Sequence, residues 1–320
     1  MRLKKKIGDS LNWLGTRGKD KNGILLYHRV DNDSQDKFNL CVSPENFDEQ
    51  MSALSASGKA VALPELVANH RNKALEPSSI AVTFDDGYLD VLNNALPILT
   101  KYQIPATVYV VTGNLGSPFW WDDLSHIIHQ PNHLPDQLQI NDPPTVVNCR
   151  NQSRETIYDS IYQQLRSLTP LSRSAILEEL KEVTGFKSSP DSARAITPEE
   201  LQELARSPLI TIGAHTETHS RLSSLNAENQ LSEIKTSAET LSGIIGDSVN
   251  TFSYPFGLKG RDYTHETINA VKAAGFDHAL AADLGVTTNQ SDVFALPRIW
   301  IHDRGQPGFS RNLKFWLGSL

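Results

Sequence analysis

Two adjacent aspartates, Asp85 and Asp86, follow directly on the apolar, β-branched run Ile80–Phe84 and precede Gly87. In parallel α/β folds, the groups just past the carboxyl end of a strand line the active site. Two neighbouring carboxylates repel each other, and a bound cation removes that cost because one carboxylate ligates the ion while the other acts as a base. The alternative is a structural role in which either aspartate caps a following helix.

Two histidines four residues apart, His215 and His219, follow a second apolar run at Leu209–Gly213. We expect them on one side of a helical turn, a spacing that can chelate one ion. Together the two motifs supply two imidazoles and one carboxylate, which leaves coordination positions open for water and substrate, as in catalytic zinc sites. The same ligand set also holds iron in oxygenases, so the ligands alone do not fix the reaction.

A third segment, Phe252–Gly257, reads Phe-Ser-Tyr-Pro-Phe-Gly at the end of another predicted strand. With Thr83–Tyr88 and His215–His219 before it, this segment makes the chain resemble the polysaccharide deacetylase family, carbohydrate esterase family four. The resemblance covers the chain from about Gly23 to Ile301, apart from a long central stretch. It extends through the segments Leu25–Val30, Ile104–Thr107 and Ala295–Ile299.

The resemblance implies a distorted (β/α) barrel with about seven strands. It implies a hydrolase of carbon–nitrogen bonds other than peptide bonds, which removes acetyl groups, N-acetyl before O-acetyl, from a carbohydrate or a surface-polysaccharide precursor. Asp86, His215 and His219 would hold one divalent ion, for which zinc is favoured over cobalt, nickel or iron. Asp85 would be the base that activates a metal-bound water, and the backbone N–H of Phe256 would stabilise the oxyanion.

Two positions depart from the family pattern. Ser253 stands where many members carry an arginine that orients the base, and we expect Arg298 to reach the base instead, with an exterior salt bridge as the alternative. The late Leu-x-His motif that supplies the general acid in many members is missing. As its replacement we prefer His28, at the end of the first strand, to His302, since members that open with a Tyr-His strand place that histidine in the site.

Aromatic residues near the motifs are candidates for the walls of a sugar-binding groove, because aromatic faces stack on sugar rings. Trp120 and Trp121 open the central stretch, and core packing is the alternative for at least one of them. The predicted substrate contacts also include Tyr88, Tyr254 and Pro255. Two other functions stay open, namely a hydrolase of small cyclic amides or imides on the same fold and an inactive glycan-binding module.

Short apolar runs alternate with helical patterns along the chain, which is typical of a mostly parallel α/β sheet or barrel. The predicted strands are Gly23–Tyr27, Ala60–Leu63, Ile80–Phe84, Ala106–Val111, Leu209–Gly213, Thr251–Tyr254, Phe276–Ala281 and Arg298–Ile301. The predicted helices are Pro44–Ser57, Leu89–Tyr102, Pro198–Arg206, Ala227–Ile245 and Thr264–Ala274.

From 113 to 195 the alternation lapses, and two helices are predicted there, Arg154–Ser167 and Leu171–Val183. We interpret this stretch as an insertion that forms a lid or wall over the site, within one catalytic domain at 23–320. A helical hairpin without a role at the site is the alternative.

Composition and charge exclude several classes of protein. With 39% hydrophobic and 21% charged residues, the 320-residue chain is typical of a soluble protein, and no apolar run is long enough to cross a membrane. The formal charge is −7 although residues 1–21 are net basic, so the rest of the chain is acidic, which argues against nucleic acid as a partner. Cys41 and Cys149 are too few for a disulfide framework, which favours a reducing compartment.

Residues 1–22 form a basic N-terminal segment before the catalytic domain. Polar residues interrupt its apolar positions, so it does not fit a cleavable signal peptide. We therefore expect a protein that is cytoplasmic or peripheral to the inner membrane face. Four apolar residues recur at helical spacing among its lysines, which would allow residues 1–17 to contact an anionic membrane surface. A basic tail, or a helix docked on the domain, is the interpretation we favour.

Overall fold

The structure is a computed structural model that describes residues 21–33, 36–141, 144–166, 168–189 and 193–318. The basic segment predicted at 1–22, with its membrane contact through 1–17, lies outside the described residues except for its last two. Among the helices that are described, none is long and apolar enough to span a bilayer. Cys41 is buried, Cys149 is half-buried, and both are free thiols.

Seven parallel strands close a barrel. In chain order, the strands of the described residues are β1 (Gly23–Tyr27), β2 (Arg29–Val30), β3 (Cys41–Val42), β4 (Ile80–Phe84), β5 (Ala106–Val110), β6 (Gln137–Asn141), β7 (Pro144–Asn148), β8 (Ile210–Ala214), β9 (Thr251–Ser253), β10 (His278–Leu284) and β11 (Leu296–Trp300). The pairs β2–β3 and β6–β7 form two small sheets outside the barrel. The barrel order is β1-β11-β10-β9-β8-β5-β4, and β4 returns to β1, where Val82 pairs with Leu25. The predicted (β/α) barrel with about seven strands is therefore confirmed.

The helices are α1 (Pro44–Ser57), α2 (Leu63–Arg71), α3 (Leu96–Tyr102), α4 (Trp120–His129), α5 (Arg154–Leu165), α6 (Pro170–Thr184), α7 (Pro198–Ala205), α8 (Ala227–Ile245), α9 (His265–Ala273) and α10 (Gln306–Leu317). All but α4, α5 and α6, which belong to the insertion, surround the barrel. The start of α1 follows from its sequence, because the Ser43 hydroxyl accepts the amide hydrogen of Asn46 and proline occupies the first turn.

One predicted element was misplaced, and another contains an irregular turn. The strand predicted at Ala60–Leu63 is wrong, because only Ala60 bridges to Ile80 and α2 begins at Leu63, where Pro64 fits the first helical turn. Residues 89–102 are helical, as predicted at Leu89–Tyr102, but a π-helical turn at Val91–Ala95 interrupts the α-helix before α3. Pro97 cannot donate the hydrogen bond that a continuous α-helix requires there.

The interior of the barrel is polar at the end that carries the sequence motifs. Side chains two residues apart share a face of a strand, so Thr83 and Asp85 point the same way at the end of β4. Ser253 of β9 and Arg298 of β11 meet them, as the hydrogen bonds among the four side chains show. Sequence alternation in three separate strands thus brings these groups together.

The insertion predicted at 113–195 has a hydrophobic core of its own. Helices α4, α5 and α6 pack with the antiparallel hairpin β6–β7 around apolar side chains that include Leu124, Ile127, Ile161 and Leu177. Helix α4 and the hairpin were not predicted, whereas α5 and α6 were. Backbone pairing of Tyr88 with Ala195 ties the end of this insertion to the barrel loop that carries the aspartates.

Candidate metal-binding active site

Several polar side chains converge where the barrel strands end. Asp85 and Asp86 follow β4, His215 follows β8, Ser253 ends β9, and His28 follows β1. Parallel strands present their carboxyl ends at the same edge, so residues more than two hundred positions apart in sequence meet there. This edge also opens into a pocket of about 220 Å³, which His28, Asp85 and Asp86 help to line.

Asp86, His215 and His219 lie close enough to share one ion. One ligand atom of each is within 4.8 Å of the others, and Asp86 Oδ1 is 3.5 Å from His215 Nε2 and 3.4 Å from His219 Nε2. His215 Nδ1 donates to the Ser253 carbonyl at 2.8 Å, which leaves Nε2 free to ligate. Asp86 Oδ1 is buried without a hydrogen-bond partner in the described part of the chain, which is costly unless a cation accompanies it. These residues therefore fit a divalent ion.

A sharp turn separates the roles of the two aspartates. Asp86 has φ 73° and Gly87 has φ 83°, in the left-handed region that residues other than glycine rarely adopt. A Cβ on Gly87 would come within 2.9 Å of Val110, so this position requires glycine. Asp85 thereby continues the inner face of the barrel while Asp86 turns to the histidines. Neither aspartate caps a helix, so the alternative interpretation as an N-cap is wrong.

The helical turn predicted between His215 and His219 is wrong. These residues lie in a loop, in which Thr216 has φ 65° and His219 has φ 53°. Glu233 of α8 holds this loop, since its carboxylate accepts the amide hydrogens of residues 217–218 at 3.0 and 2.9 Å. The four-residue spacing serves chelation through a fixed loop, and Glu233 is a positioning residue that the sequence motifs did not indicate.

Asp85 forms a fully buried, bidentate ion pair with Arg298, with N–O distances of 2.7 and 2.6 Å. Arg298 is 0% exposed and also donates to the Ser253 hydroxyl at 2.9 Å and the Ala281 carbonyl at 2.8 Å. The alternative of an exterior salt bridge is therefore wrong. Burial raises the pKa of Asp85, but the charges of Arg298 and His215 outweigh it, and the net pKa lies well below the usual value.

The structure separates the two histidines considered as general acid. His28 lines the catalytic pocket together with both aspartates. Burial lowers the pKa of His28, and the charges of Asp86 and Asp85 only partly offset this effect. His302 is exposed and lines a different groove beside Asp303. Only His28 is therefore placed where it can reach a substrate in the pocket.

The predicted aromatic contacts divide into three positions. Trp121 lines the catalytic pocket, and its ring lies 4.9 Å from that of His219. Trp120 faces a neighbouring groove and stacks on Tyr162 at 5.0 Å. The prediction that Tyr88 lines the substrate groove is wrong, because its side chain is 0% exposed. Its hydroxyl accepts the indole N–H of Trp121 at 3.0 Å, so Tyr88 supports Trp121 from behind.

The third motif contributes one half-buried side chain to the site. Phe256 lines the pocket with φ 60°, and its ring lies 4.8 Å from that of His219. Tyr254 also borders the pocket, but it is 1% exposed and its ring stacks on Tyr263 at 4.0 Å. Pro255 is buried and lies outside the pocket lining, so it shapes the turn and does not contact the pocket.

Sequence reasoning missed several other residues of the pocket wall. They are Leu26, Phe38, Leu40, Tyr162, Arg261, Ala282 and Trp300. Alternation along β11 contained a signal for one of them, because Trp300 lies two residues beyond Arg298 and shares its face. Tyr162 belongs to α5, so the insertion forms part of the wall of this pocket.

Comparison with known protein families supplies the identification. The sequence pattern of the family described as polysaccharide deacetylase matches residues 72–279, which is more than half of the chain. The chain belongs to the polysaccharide deacetylase family. The resemblance stated from the sequence motifs is thereby confirmed.

Individual relatives of this polysaccharide deacetylase are distant. YxkH of Bacillus subtilis (strain 168) is 22% identical over 312 residues, which cover 97% of this chain and 80% of the relative. The poly-β-1,6-N-acetyl-D-glucosamine N-deacetylase of Staphylococcus aureus (strain MSSA476) is 22% identical over 307 residues, covering 92% and 82%. The structure of the Streptococcus pyogenes deacetylase PplD in complex with acetate superposes with a TM-score of 0.62 at 20% identity, covering 92% of this chain and 99% of PplD. That likeness shows a shared fold.

Proposed function

We propose that this chain is a metal-dependent hydrolase that removes N-acetyl groups from an acetylated glycan or glycan precursor. The observation that carries the proposal is the cluster of Asp86, His215 and His219 beside the buried pair of Asp85 and Arg298. A three-ligand cluster with a separate carboxylate next to it is the arrangement that metal-assisted hydrolysis requires. Membership of the polysaccharide deacetylase family supports the same reaction.

When bound, a divalent ion would supply Lewis acidity for the acetyl carbonyl oxygen. Asp85 would accept the proton of the attacking water, and its Oδ2 lies 3.9 Å from His215 Nε2, next to the metal ligands. Arg298 holds both carboxylate oxygens in one plane and keeps Asp85 ionised throughout the physiological pH range. The base is therefore oriented before the substrate arrives.

The remaining steps concern the oxyanion and the leaving amine. Among the described residues, no acceptor pairs with the backbone N–H of Phe256, a residue that lines the pocket. A free amide at this position would donate to the oxyanion that develops on the acetyl group. His28 lines the same pocket and would deliver a proton to the departing amine.

The pocket wall favours a sugar substrate. Phe38, Trp121, Tyr162 and Trp300 contribute aromatic surfaces to it, and such surfaces stack on sugar rings. The relative from Staphylococcus aureus is named for its action on poly-β-1,6-N-acetyl-D-glucosamine. We therefore propose N-acetylhexosamine units as the substrate class.

Acetate release from a panel of N-acetylated and O-acetylated glycans tests the proposal. The protein would be stripped of metal with a chelator and reloaded with zinc, cobalt, nickel or iron(II). We expect metal-dependent acetate release, with N-acetylated glycans as better substrates than O-acetylated ones. Absence of acetate from every sugar, with metal demonstrably bound, would reject the proposed reaction.

A further inference from the structure

A second groove, of about 520 Å³, adjoins the catalytic pocket. His219 and Phe256 line both cavities, so the groove lies directly beside the metal ligands. The insertion forms part of the groove wall through Trp120 of α4 and Arg173 of α6. The proposed hydrolysis uses no residue of that wall.

Arg173 is the unusual residue of the groove. It is only 8% exposed, and its guanidinium lies 5.1 Å from the centre of the Trp120 ring. In the part of the chain that the structure describes, its side chain forms neither an ion pair nor a hydrogen bond. An arginine carries five N–H donors, and burying them without an acceptor costs free energy. The groove therefore presents a largely buried cation that has no hydrogen-bonding partner among the described residues.

The other charged groups of the groove do not neutralise Arg173. Of its two acidic residues, Glu233 accepts hydrogen bonds from the loop that begins at Glu217, at distances down to 2.5 Å. Arg221 also lines the groove and pairs with Asp262 at 3.1 Å, while Arg166 is exposed at the rim. Three arginines thus face two glutamates, and Glu233, whose charge acts on Arg173, already accepts hydrogen bonds from residues 217–218.

Resting on the proposed function, we propose that Arg173 binds an oxyanion of the substrate, so that the enzyme selects acetylated glycans carrying a phosphate or carboxylate group near the acetylated sugar. A planar guanidinium binds either oxyanion through two parallel hydrogen bonds. The insertion then determines which glycan is accepted, and the barrel performs the reaction.

The kinetic test compares three oligosaccharides of N-acetylglucosamine, one neutral, one with a terminal phosphate and one with a terminal uronate. We expect the native enzyme to show a kcat/KM at least about 10-fold higher on one or both charged substrates, the scale of a charge-assisted hydrogen bond. Arg173→Gln should abolish that preference and change the neutral substrate by less than about twofold. Preference for phosphate or for uronate identifies the natural group. Equal native rates on all three substrates would overturn the proposal.

Arg150→Gln is the matched control, because it removes the same charge from an arginine whose side chain is 69% exposed and which pairs with Asp136. We expect it to keep the preference for charged substrates. If Arg150→Gln also loses the preference for charged substrates, the overall charge of the protein, and not Arg173, selects the substrate.

A second measurement distinguishes oxyanion binding by Arg173 from the deacetylation reaction and from an effect on folding stability. Calorimetry would compare binding of N-acetylglucosamine 1-phosphate and N-acetylglucosamine to native protein, Arg173→Gln and Arg173→Met. We expect stronger binding of the phosphate that both variants lose, and for Arg173→Met a Tm at or above the native value, since it removes an unpaired buried cation. A lower Tm with phosphate binding retained would show that Arg173 is structural. If phosphate binding depends on Arg173 but no acetate is released, the proposed deacetylation is rejected and the proposed oxyanion site is kept. If acetate is released equally from all substrates, the proposed oxyanion site is rejected and the proposed deacetylation is kept.

Discussion

The barrel and the insertion differ in whether their buried arginine is paired with a carboxylate. In the barrel, Arg298 is fully buried, and Asp85 accepts two of its hydrogen bonds. In the insertion, Arg173 is 8% exposed, and its guanidinium lies over the face of Trp120. Arg298 supports Asp85 of the catalytic pocket and Arg173 lines the neighbouring groove, and His219 lines both cavities.

This difference separates preparation of the reaction from selection of the substrate. A catalytic base must be held in one orientation before the substrate binds, so its partner has to be part of the protein. A group that recognises a charge on the substrate gains its partner only in the complex, so it is left unpaired until then. The pairing state of a buried charge therefore indicates which of the two tasks it performs.

The largest effect is expected from Asp85→Asn, which removes the proton acceptor but keeps the shape of the side chain. Turnover should fall by about 10²–10⁴-fold, the usual scale for a general base. Metal content, measured by elemental analysis, should stay unchanged because Asp86, His215 and His219 are intact. Near-native turnover in this variant would remove Asp85 from the reaction.

Arg298→Met tests the paired charge directly. It leaves the Asp85 carboxylate buried without its partner, and we expect a loss of about 3–5 kcal/mol in the free energy of unfolding, measured with denaturant. The double variant Asp85→Asn, Arg298→Met should regain part of that loss. Arg173→Met is the contrasting control and should lose no stability. Equal losses at Arg298 and Arg173 would contradict the distinction between the two arginines.

His28→Ala and His302→Ala form a matched pair. The first removes an imidazole that lines the catalytic pocket, and the second removes an exposed one elsewhere. We expect turnover to fall by about 10²-fold for His28→Ala and to change by less than about twofold for His302→Ala. Steady-state kinetics of both variants on one substrate suffice. An unaffected His28→Ala enzyme would leave the proton donor unassigned.

Most of the barrel was predictable because its strands are short apolar runs at regular spacing. The same holds for the motif residues, since strand-end positions converge in any parallel barrel. The sequence did not show whether His215 and His219 lie on a helix or a loop, because a spacing of four fits both. Helix α4 was not predicted, although Leu124 and Ile128 recur at helical spacing. The two tryptophans at its start were interpreted as substrate contacts instead.

Other features depend on packing that local sequence does not encode. Tyr88 follows a turn at the site, which made a substrate contact plausible, yet it is buried under the insertion. Ser253 occupies the expected arginine position, and only the closed barrel shows that Arg298 reaches Asp85 from another strand. Arg173 carries no sequence signal at all, because its isolation results from how α6 packs on α4.

The smallest expected effect is on the pH dependence of stability. It concerns Asp122 of the insertion, whose pKa is shifted in the opposite direction from that of Asp85 in the barrel. Burial raises the pKa of Asp122 in α4 to about 7, although Arg29 and the Tyr88 hydroxyl act against it. An unfolded aspartate has a pKa of about 3.9, so the unfolded chain releases this proton first as the pH rises. The contribution of Asp122 to stability is then fully present below about pH 4 and is lost as the pH rises to about 7. Asp85 has the opposite sign, since its pKa is lowered.

Thermal unfolding between pH 4 and pH 7 would measure this contribution, with Asp122→Asn compared with the native protein. The native protein should lose on the order of 1 kcal/mol relative to the variant over that range, a value reduced because Asp122 is only half-buried. Asp136→Asn, whose side chain is 69% exposed, is the control and should track the native protein. A difference between native and Asp122→Asn that stays constant with pH would mean that Asp122 is ionised in the folded state. The carboxylates of barrel and insertion would then be alike, and the contrast in buried charge would rest on the two arginines alone.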